Sequence, residues 1–503
     1  MRLFSPLMNP NENPGAEQKR GTFFPRLSSF LKIRGHQKTI LGLALPVVAG
    51  LSMQMVLSLI DTALVGRLVD AKYELAAMGI VFYLTWAIIS FFSSISTGTQ
   101  VLTSRNFGSK DYEQCGRVLS CSIITAAVLG IMISAAMVSF SRNIAGVFAV
   151  DKQVAEYAGQ YLLYRFLGVP FYLISVAYRG FFFGIGKTQV FMLASILAYT
   201  LNMVLDYTLI FGAFGIKGMG LAGAGLGTSI AAAIEASVYF IVTTSNSYRA
   251  TFGTFWRIRF DKSVGKSMLK ISLPVSFQSV FTLTGLLLYV SIIGVLGTIQ
   301  QAASQLVLSV LLLSYFPSMG FGVAAQTLVG RKLGERDIRS AKQWGFETSR
   351  IATSWTVLLG LIFMFLPKYV LSMLTGSSTL IEVALPVLRI AGFAQIFFGV
   401  GFVLANALLA GGESFFVMIT DVTLNWFVFV PLAYLFGVIL KLGLNGVWAA
   451  MPFYTSFYAL VIFAKFKYRN CRKVPAINAV LDVVRIQKKT LSQESRMARG
   501  LHG

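Results

Sequence analysis

Four carboxylates stand inside long apolar stretches of this 503-residue chain: Asp61, Asp206, Glu235 and Asp421. An ionisable side chain in such a place is costly and marks a candidate functional site. Asp61 ends a stripe of Gly50, Gln54, Ser58 and Asp61, spaced four, four and three, which keeps all four on one helical face. Ser195, Tyr199, Asn202 and Asp206 repeat the device at intervals of four, three and four. A polar face on an otherwise apolar helix must look at protein or water, so the two stripes can share one cavity. Two carboxylates in a poorly hydrated pocket cannot easily both stay ionised. Such a pair can take up a proton, or hold a Na⁺ together with the oxygens of Asn202 and Thr228, and lose it elsewhere. Thr228 and Glu235 lie seven residues apart on one segment. Thr228 is placed to complete the pocket, whereas Glu235 reads either as a deeper relay or as a hydrogen-bonded structural residue. Asp61 also reads as an interfacial residue at a helix end, and Asp421, near the start of its segment, as a side chain that just reaches water. Arg165 and Arg179, toward opposite ends of one segment, are expected to snorkel to the interfaces.

The elements that must carry these residues follow from composition. The chain is 55% hydrophobic and only 13% charged, with a mean hydropathy of +0.70. A bilayer core of about 30 Å needs about 20 apolar residues per helix. Twelve segments fit, near 39–64, 76–100, 118–141, 161–184, 189–213, 219–243, 268–297, 301–327, 349–366, 385–408, 416–437 and 444–466. The expected fold is an all-α polytopic membrane protein. The net charge of +23 is unevenly placed. With the N-terminus inside, 33 of the 43 Lys and Arg fall in inward loops and tails and seven in outward loops, while Arg165, Arg179 and Arg389 fall within helices. That bias is the positive-inside rule, and it sets both termini in the cytoplasm of a plasma (inner) membrane protein. It also argues against nucleic acid as a partner and for contacts with anionic lipid. No cleaved signal peptide is expected ahead of the first segment. Cys115, Cys121 and Cys471 fall at or near the inward side, so no disulfide framework is expected. His36 and His502 are assigned to the tails, which takes histidine out of any intramembrane mechanism. No His, Cys or metal-ligand cluster faces the cavity, so no cofactor and no enzyme are expected, and no metal beyond a Na⁺ at Asp61 and Asp206. Gly184-Ile185-Gly186-Lys187-Thr188 looks like the end of a phosphate loop, but Phe181 occupies the first glycine position of that motif and no strand precedes it. Driving energy must then come from an ion gradient rather than from nucleotide hydrolysis within the chain.

The segments form two copies of one unit. Leu45-Pro46 with Gly66 twenty positions on returns as Leu273-Pro274 with Gly294. The pattern Gln-x4-Arg-x2-Gly-x2-Asp occurs as Gln100, Arg105, Gly108, Asp111 and again as Gln326, Arg331, Gly334, Asp337. Arg165/Gly168 returns as Arg389/Gly392, Leu201-Asn202 as Leu424-Asn425, and Gly220 to Gly223 as Gly443 to Gly446. An even number of helices per copy gives both the same orientation, so two pseudo-symmetric six-helix lobes should meet about an axis along the membrane normal. The expected organisation is a basic tail over 1–38, an N-lobe over 39–250, a C-lobe over 251–466 and a second basic tail over 467–503. In that last tail Ile477, Val480, Leu481 and Val484 stand at helical spacing, which reads either as an amphipathic helix on the inner leaflet or as part of a mostly disordered tail.

From about 39 to 466 the chain resembles the MATE (multidrug and toxic compound extrusion) family. The resemblance is carried by Leu45-Pro46 with Leu59-Ile60-Asp61-Thr62 and Val65-Gly66, by the Gln100-to-Asp111 segment, by Leu201 to Asp206 with Ile210-Phe211-Gly212, and by Gly223 to Thr228. It implies a secondary antiporter, a monomer of two lobes about a central cleft, that exports organic cations and amphiphilic drugs against H⁺ or Na⁺. It further implies that Asp61, Asn202, Asp206 and Thr228 carry the coupling cation and that the first helix bends about Pro46. Gln54, Ser58, Tyr199, Gln278, Thr282 and Tyr289 are candidates to line the cavity. The NorM-like branch also uses acidic residues on its seventh and tenth helices. Here the seventh offers Gln278, Thr282 and Tyr289 and the tenth Gln395 and Asn406, so the chain looks closer to the DinF-like branch. Lys187 stands where the family often has an acidic residue or Asn. A flippase for lipid-linked saccharides would share the architecture, but would line its cavity with several cations, and only Arg165, Arg179 and Arg389 are on offer.

Overall fold

The computed structural model describes residues 27–68, 71–149, 151–213, 215, 217–254 and 260–468. Every regular element among them is helical. Twelve apolar spans run in order: α1 (Leu27–Val65), α2 (Ala71–Ser93, resumed as Ile95–Gly108), α3 (Tyr112–Phe148), α4 (Lys152–Leu167 and Val169–Gly184), α5 (Thr188–Phe211) and α6 (Leu221–Thr244) form the first set. α7 (Lys262–Leu296), α8 (Thr298–Gly334), α9 (Ile338–Phe365), α10 (Ser378–Ala410), α11 (Ser414–Leu424, continued to Ile439) and α12 (Gly443–Tyr468) form the second. The chain is thus an integral, multi-pass helical membrane protein. α1 begins earlier than hydropathy alone predicts, so His36 lies on a helix rather than in a polar tail. Its Nδ1 meets Glu347 Oε2 of α9 at 2.5 Å, with the ring 4.2 Å from that of Trp344. The tail segment 477–484 lies outside the described residues.

Three spans are irregular. α4 bends by 48° where Gly168 precedes Val169-Pro170. Pro170 offers no N–H, and its ring excludes the carbonyl one turn back. Ser229 Oγ of α6 takes up carbonyls next to the break, donating to Tyr164 O at 2.7 Å and Arg165 O at 3.2 Å. A side chain on Gly168 would collide with Ser229, so the bend is fixed against α6. α2 is interrupted at Ser94, whose hydroxyl meets Ser276 of α7 at 2.5 Å. α11 widens into π-helical turns at Asn425–Phe429 and Leu435–Ile439. The first directly precedes Pro431, and there the Val430 N–H reaches back five residues to Asn425 O.

The halves are two lobes related by pseudo-twofold symmetry, and the symmetry is written in hydrogen bonds. Arg105 donates to Ala410 O, through Nε at 2.9 Å, while Arg331 Nη2 donates to Ile185 O at 2.5 Å. Gln100 Nε2 donates to Val323 O at 3.0 Å, and Gln326 Nε2 to Thr97 O at 3.3 Å. Gly108 lies against the backbone of Arg331 and Gly334 against that of Arg105, each too close for a Cβ. The repeated Gln-Arg-Gly pattern is therefore a reciprocal clamp between the lobes at one end of the bundle. α1 and α7 cross the divide in the same reciprocal way. Ile40, Leu43 and Ala44, before Pro46, pack into a core supplied by α8, α9, α10 and α12. Val264, Met268 and Ile271, before Pro274, pack into a core supplied by α2 to α6. Beyond their prolines both helices turn to their own lobe: Gly50 abuts Phe191 of α5, and Gly285 abuts Asn425 of α11.

Candidate functional site

The most concentrated buried polarity of the first lobe gathers on α1, α4, α5 and α6. On α5 the four-residue spacing brings Asn202 under Asp206, and Asn202 Nδ2 donates to Asp206 Oδ2 at 2.6 Å. Both side chains are fully buried. Space for the second carboxylate oxygen is made by Gly227 of α6, where any Cβ would run into Asp206 Oδ1. Asp61, half-buried on α1, brings its carboxyl group close to that of Asp206. Two ionised carboxylates offer no proton to each other, so their approach favours a proton or an ion between them. The guanidinium of Arg165, one turn from Tyr161 on α4, is near enough to act on both carboxylates. Arg165, expected to snorkel, is half-buried beside the bend of α4, close enough for both carboxylates to attract it.

Four buried atoms of this cluster lack a hydrogen-bond partner: Asp61 Oδ1, Asp206 Oδ1, Asn202 Oδ1 and Arg165 Nη1. Buried polar groups are ordinarily satisfied, so three orphan oxygens in one place are a cation-accepting arrangement. The charge count agrees. Two carboxylates and one guanidinium leave a single negative charge, which one monovalent cation neutralises. Thr228 adjoins through Gly227, its hydroxyl turned to Ala224 O of its own helix at 2.8 Å. Gln54 and Ser58, on the same stripe as Asp61, are exposed.

One turn and more along α5, the stripe serves a different cluster. Glu235 of α6 is buried and paired with Arg179 of α4, whose Nη2 reaches Oε2 at 2.7 Å and Oε1 at 2.9 Å. Oε1 also accepts from Ser195 Oγ at 3.2 Å and Tyr239 Oη at 3.1 Å. Arg179 donates to Tyr199 Oη at 3.4 Å and lies over the rings of Tyr172 and Phe191, at 5.6 and 5.3 Å. The expected snorkelling of Arg179 is therefore replaced by a buried ion pair. Sequence spacing does not reveal it, because the partners are 56 residues apart on different helices.

In the second lobe, symmetry brings Tyr289 of α7 and Phe429 of α11 to the places of Asp61 and Asp206, and there the rings stack, centroids 4.7 Å apart. Asp421, expected to reach water, is instead 5% exposed. Its Oδ2 accepts from Gln278 Nε2 and Thr282 Oγ1, both at 2.9 Å, and its Oδ1 from Tyr454 Oη at 2.5 Å. Two residues read as cavity lining thus turn to a carboxylate on α11. α10 extends back to Ser378 and includes the exposed Glu382, and Gln395 on it is buried with Oε1 unpartnered.

A duplicated helical bundle with parallel lobes, a reciprocal clamp at one end and buried carboxylates inside the lobes is the architecture of a membrane transporter. The MatE family profile matches it twice, over residues 46–208 and 274–435, one match per lobe. The chain belongs to the MatE family. It is 24% identical over 423 residues to a probable multidrug resistance protein NorM of Thermotoga maritima, covering 82% of this chain and 89% of that one. It is 23% identical to the probable multidrug resistance protein YoeA of Bacillus subtilis, covering 84% and 92%. Among solved structures it resembles a MATE protein in the straight conformation, with a TM-score of 0.79 at 22% identity over 88% of this chain and 97% of that one. It is equally similar to a MOP superfamily transporter from Pyrococcus furiosus, described as having a binding pocket of reverse polarity, with a TM-score of 0.78 at 21% identity over the same shares.

Proposed function

We propose that this protein is a secondary active antiporter that exports organic cations and amphiphilic drugs in exchange for H⁺ or Na⁺, bound in the N-lobe between Asp61 and Asp206. The observation that carries this reading is the close approach of the two carboxyl groups, with its three orphan oxygens. One proton or one Na⁺ cancels the net charge that Arg165 leaves and turns a repulsive contact into a bond. Asp61 sits on α1, whose other end packs into the opposite lobe before Pro46. Ion binding at Asp61 would therefore bias how α1 lies across the lobe boundary, and the Gln-Arg-Gly clamp would have to break for the clamped end to open. Ion and drug are then reciprocally linked through one two-state element. The Lys/Arg bias supports placing the clamped end, and both termini, on the cytoplasmic face of the plasma (inner) membrane, with the chain acting as a monomer. An inward charge movement yields roughly 2.3 kcal/mol per 100 mV. The cation-lined cavity of a saccharide flippase has less support, since Arg179 is neutralised by Glu235 and Arg165 lies beside two carboxylates.

The test is efflux of a fluorescent organic cation from vesicles holding the full chain, with a proton gradient and a Na⁺ gradient imposed separately. Asp61→Asn and Asp206→Asn should each abolish gradient-driven transport, and the gradient that drives the unmodified protein names the ion. Full ion-driven efflux in both variants would overturn the assignment.

A further inference from the structure

The C-lobe carboxylate is unlike the acidic clusters at Asp206 and Glu235. Asp206 has Asp61 and Arg165 beside it, and Glu235 has Arg179. Among the described residues, neutral groups face Asp421. Gln278 and Thr282 face it from α7, Tyr454 and Tyr458 from α12, and Tyr315 from α8. Among the described residues no Lys, Arg or His makes an ion pair with it. When ionised it is a full negative charge within a membrane helix, held by Gln278, Tyr454 and a Thr282 hydroxyl whose one hydrogen is shared with Gln278 O at 2.8 Å, with no ion-pair partner among the described residues. One turn on, Asn425 is 5% exposed, and its Oδ1 is without a partner beside Gly285. The π-helical turn begins at that same residue. A purely structural carboxylate would be an expensive way to join α7, α11 and α12, because neutral polar groups can make the same bonds.

The bonding pattern also selects the ligand. A Na⁺ needs several free oxygen lone pairs, whereas both Asp421 oxygens already accept hydrogens from Gln278, Thr282 and Tyr454. A proton needs far less rearrangement. Once protonated, Asp421 can donate to Thr282 or Tyr454, since a hydroxyl serves as donor or acceptor by rotating its hydrogen. From this we infer that Asp421 is a second proton-binding residue, in the C-lobe, which takes up and releases a proton as α7 and α11 change packing in the transport cycle. Gln278 and Thr282 lie just beyond Pro274, as the N-lobe stripe lies beyond Pro46. Each lobe thus reads out its own crossing helix with a carboxylate.

The inference rests on the antiport reading, and the experiment separates the two. Proton-to-drug stoichiometry is measured in vesicles holding the full chain, and the protonated-carboxyl infrared band of the reconstituted protein is followed through a pH titration. Asp421→Asn should lower the stoichiometry by one proton while Asp61 and Asp206 still drive efflux, and one titrating carboxyl component should vanish from the spectrum. A Na⁺ gradient should not alter either result. If Asp421→Asn transports nothing, the infrared titration decides. Loss of a component that survives in Asp61→Asn and Asp206→Asn supports the inference, and an unchanged titration overturns it. Unaltered stoichiometry with an unaltered spectrum also overturns it. Failure of the antiport reading would show separately, as gradient-driven efflux that Asp61→Asn and Asp206→Asn leave intact.

Discussion

The two lobes share a backbone plan and diverge in what they place at equivalent points. Where α1 and α5 bring together Asp61 and Asp206, α7 and α11 bring together Tyr289 and Phe429. One leaves buried carboxylate oxygens without a partner. The other is a stacked aromatic pair sealed by Trp448, 5.9 Å from Tyr289. The second lobe has not lost its charge so much as moved it: Asp421 lies one turn before Asn425, whereas Asp206 lies one turn after the equivalent Asn202. The scaffold therefore fixes that these helices meet, and side chains decide at which depth the meeting carries charge.

The largest expected effect separates these two contacts. Asp206→Asn should abolish ion-driven efflux, while Phe429→Leu, at the equivalent place, should leave coupling intact and lower only thermal stability. Equal loss of coupling in both would erase the distinction between the lobes. Next in size is the buried ion pair of the N-lobe, Arg179 with Glu235. Arg179→Met leaves Glu235 buried and unpaired, at a cost of about 3–5 kcal/mol. Arg179→Met with Glu235→Gln should recover much of that in a detergent unfolding assay. If Glu235 is structural the double variant still transports, and if it is a relay the double variant is stable but uncoupled.

Smaller again is the clamp, where the lobes are alike. Arg105→Ala and Arg331→Ala each remove a charge-assisted bond to a carbonyl of the other lobe, worth about 1.5–3 kcal/mol. Because the bonds are reciprocal, the two variants should shift the population open at the clamped end by similar factors, on the order of tenfold or more. Labelling of single cysteines introduced near Gly108 and Gly334 would measure the shift. A large difference between the variants would mean that the symmetry of the bonds is not a symmetry of energies.

Much of this was legible in residue spacing. Hydropathy gives twelve spans, five paired landmarks give the parallel lobes, and two stripes of three- and four-residue spacing give Asp61, Asn202 and Asp206 as neighbours. What spacing does not reach is partnership between helices. Asp421 reads as close to water only while α11 is considered alone; side chains of α7 and α12 bury it. Arg165 and Arg179 look like snorkelling side chains until α4 is bent and packed on α6. The Gln-Arg-Gly landmarks were visible as a repeat, but their role needed the facing carbonyls of Ala410 and Ile185, which any residue type could supply.

The last residue of that repeat gives the finest comparison. Asp111 caps α3 by accepting from the Gln114 N–H at 3.1 Å, and Asp337 caps α9 by accepting from the Ser340 N–H at 3.0 Å. Asp337 alone gains a second bond, from Ser340 Oγ at 2.6 Å. Loss of an N-cap costs about 1 kcal/mol, so Asp337→Ala should destabilise the first turn of its helix by somewhat more than Asp111→Ala does. Hydrogen exchange over residues 338–342 and 112–116 would measure both. The Ser340 bonds also hold the Asp337 carboxyl below the usual range for an aspartate. Its folded value is depressed, so this stabilisation is present above the ordinary Asp value of about 3.9 and fades as the pH falls through the folded one. Ser340→Ala should remove the extra bond, bring the exchange rates of the two helix starts together, and move the acid-induced fraying of α9 to higher pH. If α9 frays at the same pH with and without the Ser340 hydroxyl, that hydroxyl is not what distinguishes the two caps.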